Sequence, residues 1–191
     1  MRILVKKKAN NKNNVKTTPT PAQIYNGDFE NLSEEIVRYL FQGIDATIKK
    51  TDGSKDGGYD IVVECHEGGI LRKVYFECKL RSDNLNLRDI SANLIIAFNE
   101  GAIALVVMTN YDYTEQTNEA IRIFFDKTVL NVKLLIGEDI QKLIKKNNID
   151  VPAGLSEIIA SKKSYRKNLS FLRIDLDQDS IYKQILKKSV F

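Results

Sequence analysis

Acidic residues and a lysine interrupt two otherwise apolar stretches in the segment DGGYDIVVECHEGGILRKVYFECKL, residues 56–80. The stretches read as two strands, and the glycine pair in EGGI is typical of a two-residue hairpin turn. With that turn, Asp60 falls directly opposite Glu77 in the ladder. Side chains alternate between the faces of a strand, so Asp60, Glu77 and Lys79 are predicted to share one face.

This charged face has two interpretations. Directly opposed residues have their Cβ atoms about 5 Å apart, so two carboxylates there repel each other unless something offsets the charge. A divalent cation would do so, since Mg²⁺ is commonly held by one or two protein carboxylates. Lys79 could then orient or deprotonate an attacking water, or stabilise charge on a phosphate. Alternatively the face is solvated, Glu64 pairs with Lys73, and the other acids lie in water.

The residues that look most reactive in isolation are poor candidates for the site. Cys65 and Cys78 fall on the apolar face and out of register, so they are interpreted as small buried hydrophobic residues. His66 is the only histidine, and one histidine with two cysteines is too few ligands for a typical structural zinc site. At ~3.3 Å per residue His66 lies about 20 Å from Asp60, too far to act there as a general base.

The elements that must hold this hairpin follow from hydrophobic periodicity. Apolar residues at helical spacing predict a helix that Asp28 caps, that carries Glu34 near its apolar edge and that ends at Gly43. Beyond the hairpin, helices alternate with apolar strands, which indicates an α/β fold with a mixed sheet flanked by helices. The predicted elements are a strand at 44–50, strands at 59–65 and 70–80, a helix at 87–99, a strand at 102–109, a helix at 115–125, a strand at 132–136, a helix at 138–146 and a last helix at 180–191.

Length and composition limit the number of domains that the chain can form. A chain of 191 residues with 43% hydrophobic content suits one core plus tails. We expect residues 1–22 to form a basic flexible arm, which either contacts nucleic acid or is only a solvated tail, because its prolines break regular structure. We expect the folded domain at 23–147. Residues 148–191 are predicted to be an extension, either helical or a linker to a missing region.

Several classes of protein are disfavoured by what the sequence lacks. No apolar run approaches the roughly 18 residues that span a bilayer, and the basic start has no apolar core of a signal peptide. Two cysteines suit a reducing compartment, so a soluble cytoplasmic protein with no membrane association is expected. No phosphate-binding glycine loop lies between a strand and a helix, which argues against nucleotide hydrolysis.

The order of these features resembles the PD-(D/E)XK nuclease superfamily. A glycine-flanked Asp opens one strand, Glu-x-Lys lies in the next, a helix with a Glu precedes them, and helix, strand and helix follow. DGGYDIVV, VYFECKL and ALVVMTNYDYTEQTNEAI resemble, more narrowly, the Mrr-type restriction endonuclease domain, over about residues 29–144. The resemblance implies a restriction-endonuclease-like fold. Many members of this branch carry Gln where Glu77 stands, so this chain has the more general superfamily form.

The resemblance also implies a function. It implies hydrolysis of DNA phosphodiester bonds that depends on Mg²⁺ or Mn²⁺, in restriction or antiphage defence. Asp60 and Glu77 would be the metal ligands, Lys79 the catalytic lysine and Glu34 the helical acid that points toward the metal. Asp56 is either a turn residue or a further acid near the metal.

Partners and alternatives complete these expectations. Arg81 and Arg88 follow the motif lysine and either contact DNA phosphates or belong to an ordinary polar connection. One site cuts one strand, so a homodimer is expected on DNA. The alternatives are a catalytically silent nucleic-acid-binding module and an N-terminal effector domain of a larger defence protein.

Overall fold

The computed structural model describes residues 20–51, 58–160, 172–176 and 181–186. Its centre is a five-stranded sheet in which the spatial order of the strands follows the chain. The first three strands are antiparallel to one another in succession, and the fourth and fifth are added parallel to the third. The predicted mixed sheet is therefore confirmed. The strands are β1 (Ala46–Lys50), β2 (Ile61–Glu67), β3 (Ile70–Lys79), β4 (Ala104–Thr109) and β5 (Asn131–Leu135).

Helices cover both faces of the sheet. One buried cluster joins the sheet to α2, α5, α6 and α7, and a second joins it to α3 and α4. All six residues of β4 are buried, as expected for a central strand covered on both faces. The helices are α1 (Pro21–Ile24), α2 (Asn26–Leu40), α3 (Leu87–Asn99), α4 (Glu115–Lys127), α5 (Gly137–Asn147), α6 (Ala153–Ala160) and α7 (Ile181–Leu186).

The hairpin of β2 and β3 has the predicted register, with Glu67 opposite Ile70 and Ile61 opposite Phe76. Its apolar face, including both cysteines, lies in the first buried cluster. The face with the acids is solvated only in part. Glu64 is half-buried and lies opposite Lys73, but it forms its ion pair with Lys49 of β1, at 3.1 Å, and not with Lys73 as predicted. Glu77 is only 2% exposed, because α3 lies over that end of the sheet.

The start of the folded part differs from the expectation in two respects. Helix α1 begins at Pro21, inside the stretch predicted to be irregular, since proline is well tolerated in the first turn of a helix. Helix α2 begins at Asn26, so Asp28 lies in its first turn and is not its cap. A carboxylate there is still favourable, because it faces the positive end of the helix dipole.

The chain beyond residue 148 contributes to the same cores. Leu155 and Ile159 of α6 lie in the first cluster, and Leu172 lies in the second. The N–H of Leu134 donates to the carbonyl of Leu172 over 2.8 Å, which covers the outer edge of β5. Within the described ranges, no helix is long and apolar enough to cross a membrane.

Candidate active site

Asp60 lies one residue before β2, where the chain leaves the regular ladder. Its N–H donates to the carbonyl of Phe76 over 3.1 Å, and the paired positions begin at Ile61. The predicted direct pairing of Asp60 with Glu77 is therefore wrong in detail. The carboxylate of Asp60 instead reaches past Glu77, and its Oδ2 accepts a 2.6 Å hydrogen bond from the N–H of Cys78.

Glu77 is a buried carboxylate with two different partners. Its Oε1 forms an ion pair with the ammonium of Lys79, and its Oε2 accepts a 2.8 Å hydrogen bond from the side-chain amide of Asn93 on α3. Burial and the nearby charge of Asp60 raise the pKa of Glu77 to about 7, although Lys79 acts in the opposite direction. One carboxylate oxygen therefore contacts a cation, and the other accepts from a neutral donor.

The site is open on the side of Asp60 and Lys79. Asp60 is half-buried, and the side chain of Lys79 is 31% exposed. Burial raises the pKa of Asp60, while the Cys78 N–H and the charges of Lys79 and Lys50 oppose this shift. A substrate could therefore reach Asp60 and Lys79, whereas Glu77 is almost completely buried.

Glu30 on α2 is a helical acid whose charge acts on Glu77, whereas the role of Glu34, one turn further along the helix, stays a prediction. Glu34 forms an ion pair with Arg38 one turn along α2, at 2.6 Å. Burial and the charge of Asp60 raise the pKa of Glu30, and Glu30 in turn raises the pKa of Glu77. The ammonium of Lys50 lies 3.8 Å from the Glu30 carboxylate.

The sequence did contain a signal for Glu30. Glu30 and Glu34 are four residues apart, so they lie on one helical face. The apolar edge of the helix favoured Glu34. Which of the two acids lies nearer the site depends on the position of α2 along the sheet. That position is set by packing and cannot be read from periodicity.

Arg81 is held firmly after the motif lysine. The side-chain amide of Asn110 donates to its carbonyl at 2.9 Å and accepts from its N–H at 2.8 Å. The guanidinium contacts Asp89 at 2.9 Å, and Asp89 also closes the capping box at the start of α3 with Asn86. Arg88 lies in the first turn of that helix with an exposed side chain. Both arginines thus flank the start of α3.

The donor set fits a hard divalent cation held by few ligands. In the described part of the chain, no three or more His, Cys, Asp or Glu residues are grouped as a metal site. Asp60 and Glu77 are carboxylates next to each other and near a third acid, Glu30, and Mg²⁺ is commonly held by one or two protein carboxylates. Cys65 and Cys78 are free and buried, and burial raises their thiol pKa values, as expected for unreactive core residues.

Comparisons with known proteins bear on the family and the fold of this chain. The Mrr_cat family model, described as "Restriction endonuclease", matches residues 23–144. The structure is similar to the DNA modification-dependent restriction endonuclease AspBHI, with a TM-score of 0.52 and 19% identity over 74% of this chain and 38% of AspBHI.

A second similar structure is the MspJI restriction endonuclease in complex with a 27-mer oligonucleotide, with a TM-score of 0.51 and 19% identity over 73% of this chain and 33% of MspJI. The matched regions thus make up less than half of both enzymes. No curated protein matches the sequence. The family match, the mixed sheet and the Asp, Glu-x-Lys arrangement together show that this chain belongs to the Mrr-type restriction endonuclease family of the PD-(D/E)XK superfamily.

Proposed function

We propose that this chain is an endonuclease that uses a divalent metal to hydrolyse DNA phosphodiester bonds. The observation that carries the proposal is the buried Glu77 carboxylate, paired with Lys79 and lying beside Asp60. Burying a carboxylate near another acid costs free energy. A catalytically silent binding module would gain nothing from placing these two acids together, whereas a bound cation would offset their repulsion.

Asp60 and Glu77 would hold the metal, Mg²⁺ or Mn²⁺, with Glu30 adding negative charge nearby. A cation bound there would act as a Lewis acid toward a phosphate oxygen and lower the pKa of a bound water. The N–H of Cys78 fixes the direction of the Asp60 carboxylate. The acids are thereby oriented before any substrate arrives.

Lys79 is the residue of this chain that would act on the reacting groups. Its ammonium contacts the Glu77 carboxylate and is partly exposed, so it can also face a phosphate. There it would orient the attacking water and stabilise the negative charge that develops on the phosphate. Arg81 and Arg88 would contact the phosphates on either side of the cleaved bond.

DNA is the proposed substrate and restriction or antiphage defence the proposed role. Of the two similar structures, one is a DNA modification-dependent restriction endonuclease and the other a restriction endonuclease in complex with an oligonucleotide. We further propose a homodimer on DNA, because one site cuts one strand. The free cysteines support action in a reducing cytoplasm.

The test is cleavage of supercoiled plasmid, with and without base modification, by protein supplied with Mg²⁺ or Mn²⁺. We expect nicked and linear products that EDTA abolishes and that Glu77→Gln loses. Glu67→Gln is the matched control, because Glu67 lies on the same hairpin but is exposed and pairs with Arg72. Intact plasmid under all these conditions, with DNA affinity unchanged by EDTA, would instead support the silent binding module.

A further inference from the structure

Asn93 on α3 contacts both chain segments that carry the proposed metal ligands. Its side-chain Nδ2 donates to Oε2 of Glu77 and to the carbonyl of Gly58, each at 2.8 Å. Its own carbonyl accepts a 3.3 Å hydrogen bond from the hydroxyl of Tyr59. Asn93 is only 6% exposed. One helical residue thus joins β3 to the segment just before Asp60.

The chemistry of the amide suits this position. A side-chain amide has two N–H hydrogens, and here each bonds to a different segment. Gly58 has a φ of +88°, a conformation that favours glycine, so the chain approaches Asp60 from a fixed direction. Asn93 therefore links the orientation of the Glu77 carboxylate to the position of the Asp60 segment.

The neutrality of the donor also matters. A lysine or arginine at position 93 would neutralise Glu77 and weaken attraction for a cation, whereas an aspartate would add repulsion and remove both donors. Asn93 satisfies Oε2 of Glu77 without changing the net charge of the site. The negative charge of the carboxylates thus stays available.

We propose that Asn93 is a positioning residue that orients Glu77 for the divalent metal, an inference that rests on the proposed function. The competing explanation is that Asn93 only satisfies buried polar groups. Asn131 on β5 provides the comparison, because it is 0% exposed and its amide also donates twice, to the carbonyls of Gln184 at 3.1 Å and Ile185 at 2.7 Å. Both residues support the fold, but only Asn93 contacts a proposed metal ligand.

The experiment compares Asn93→Ser and Asn131→Ser with the wild-type chain. Mn²⁺ affinity is measured by calorimetry without DNA, and thermal unfolding is followed by circular dichroism. We expect Asn93→Ser to weaken Mn²⁺ binding about tenfold or more, the usual effect of losing a residue that orients a metal ligand. Asn131→Ser should lower the melting temperature but leave Mn²⁺ affinity within about twofold of wild type. The cleavage rate of Asn93→Ser should recover in part as Mn²⁺ is raised.

The outcomes separate the two proposals. If folded Asn93→Ser binds Mn²⁺ as tightly as wild type, Asn93 is not a positioning residue, and the proposed function stands. If the wild-type chain binds no Mn²⁺ and cleaves no DNA, the proposed function itself fails. If Asn93→Ser does not fold, Asn93→Gln replaces it: the amide is then displaced by one methylene, the same weakening is expected, and wild-type affinity would overturn the inference.

Discussion

The carboxylate of Asp60 accepts a 2.6 Å hydrogen bond from the backbone N–H of Cys78. Cys78 is the residue between Glu77 and Lys79, so the main chain of β3 fixes the acid that precedes β2. Because the donor is a backbone group, this link is part of the sheet itself. The proposed ligands therefore keep their relative positions as long as the hairpin is paired.

Metal-free protein should lose stability as the pH rises from about 4.5 to about 7. The pKa of Glu77 rises from 4.5 to about 7 on folding, so between these values the folded state binds more protons than the unfolded state. The free energy of unfolding then falls with rising pH, by up to about 3 kcal/mol for this group. Urea unfolding in EDTA from pH 4.5 to 8 measures the effect, and Glu77→Gln should reduce the total decrease in the free energy of unfolding by that amount, which makes the slope against pH shallower.

Mg²⁺ provides the control for this pH dependence. A cation that binds the ionised carboxylates stabilises only the folded state, so adding Mg²⁺ at pH 8 should recover stability in the wild-type chain but not in Glu77→Gln. Identical slopes for the two proteins in EDTA would contradict the assignment of the shift to Glu77.

Lys79→Ala should reduce cleavage more than it reduces DNA binding. Loss of a group that assists the attacking water typically costs about 10²–10⁴-fold in rate, and Lys79 is one charge among several near the substrate. Single-turnover cleavage and DNA affinity, measured separately, show whether the variant loses cleavage rate more than it loses DNA binding. Lys73→Ala is the matched control, since Lys73 lies on the same strand opposite Glu64. Equal rates for the two variants would remove Lys79 from the proposed chemistry.

The sheet and most of its helices could be predicted because their patterns are local. Helix α3 has the predicted bounds, since apolar spacing, the cap at Asn86 and Gly101 after its end all agree. The hairpin register followed from the turn alone. Asp60 was misplaced because the ladder ends one residue earlier than strict alternation requires, and the turn does not determine where pairing stops.

Two features of the site could not be predicted because they depend on long-range packing. Asn93 contacts Glu77 only because α3 crosses that end of β3. The sequence shows Asn93 merely as a polar residue in an amphipathic helix. The choice between Glu30 and Glu34 likewise depends on where α2 rests on the sheet.

Substitution of the two helical acids should separate their roles. Glu30→Gln removes a charge that acts on Glu77, so we expect weaker Mn²⁺ binding and slower cleavage, by about tenfold. Glu34→Gln removes only an ion pair with Arg38, worth about 0.3–0.5 kcal/mol of stability, and should leave both measurements unchanged. Calorimetry with Mn²⁺ and plasmid cleavage test the pair. A loss confined to Glu34→Gln would restore the assignment made from the sequence.

Arg81→Ala should weaken DNA binding and reduce its dependence on salt. Asp89 and Asn110 hold Arg81 in place, so its guanidinium is oriented before DNA binds. Loss of one phosphate contact should lower the slope of log affinity against log salt by about one, in the same way for all sequences. Arg88→Ala should act likewise, because its exposed side chain flanks the same helix start.

Fluorescence anisotropy of a labelled duplex in Ca²⁺ across several salt concentrations measures the slopes. Arg122→Ala is the control, since Arg122 pairs with acids on α4, and an Arg81→Ala slope no smaller than that of the control would place the DNA path elsewhere.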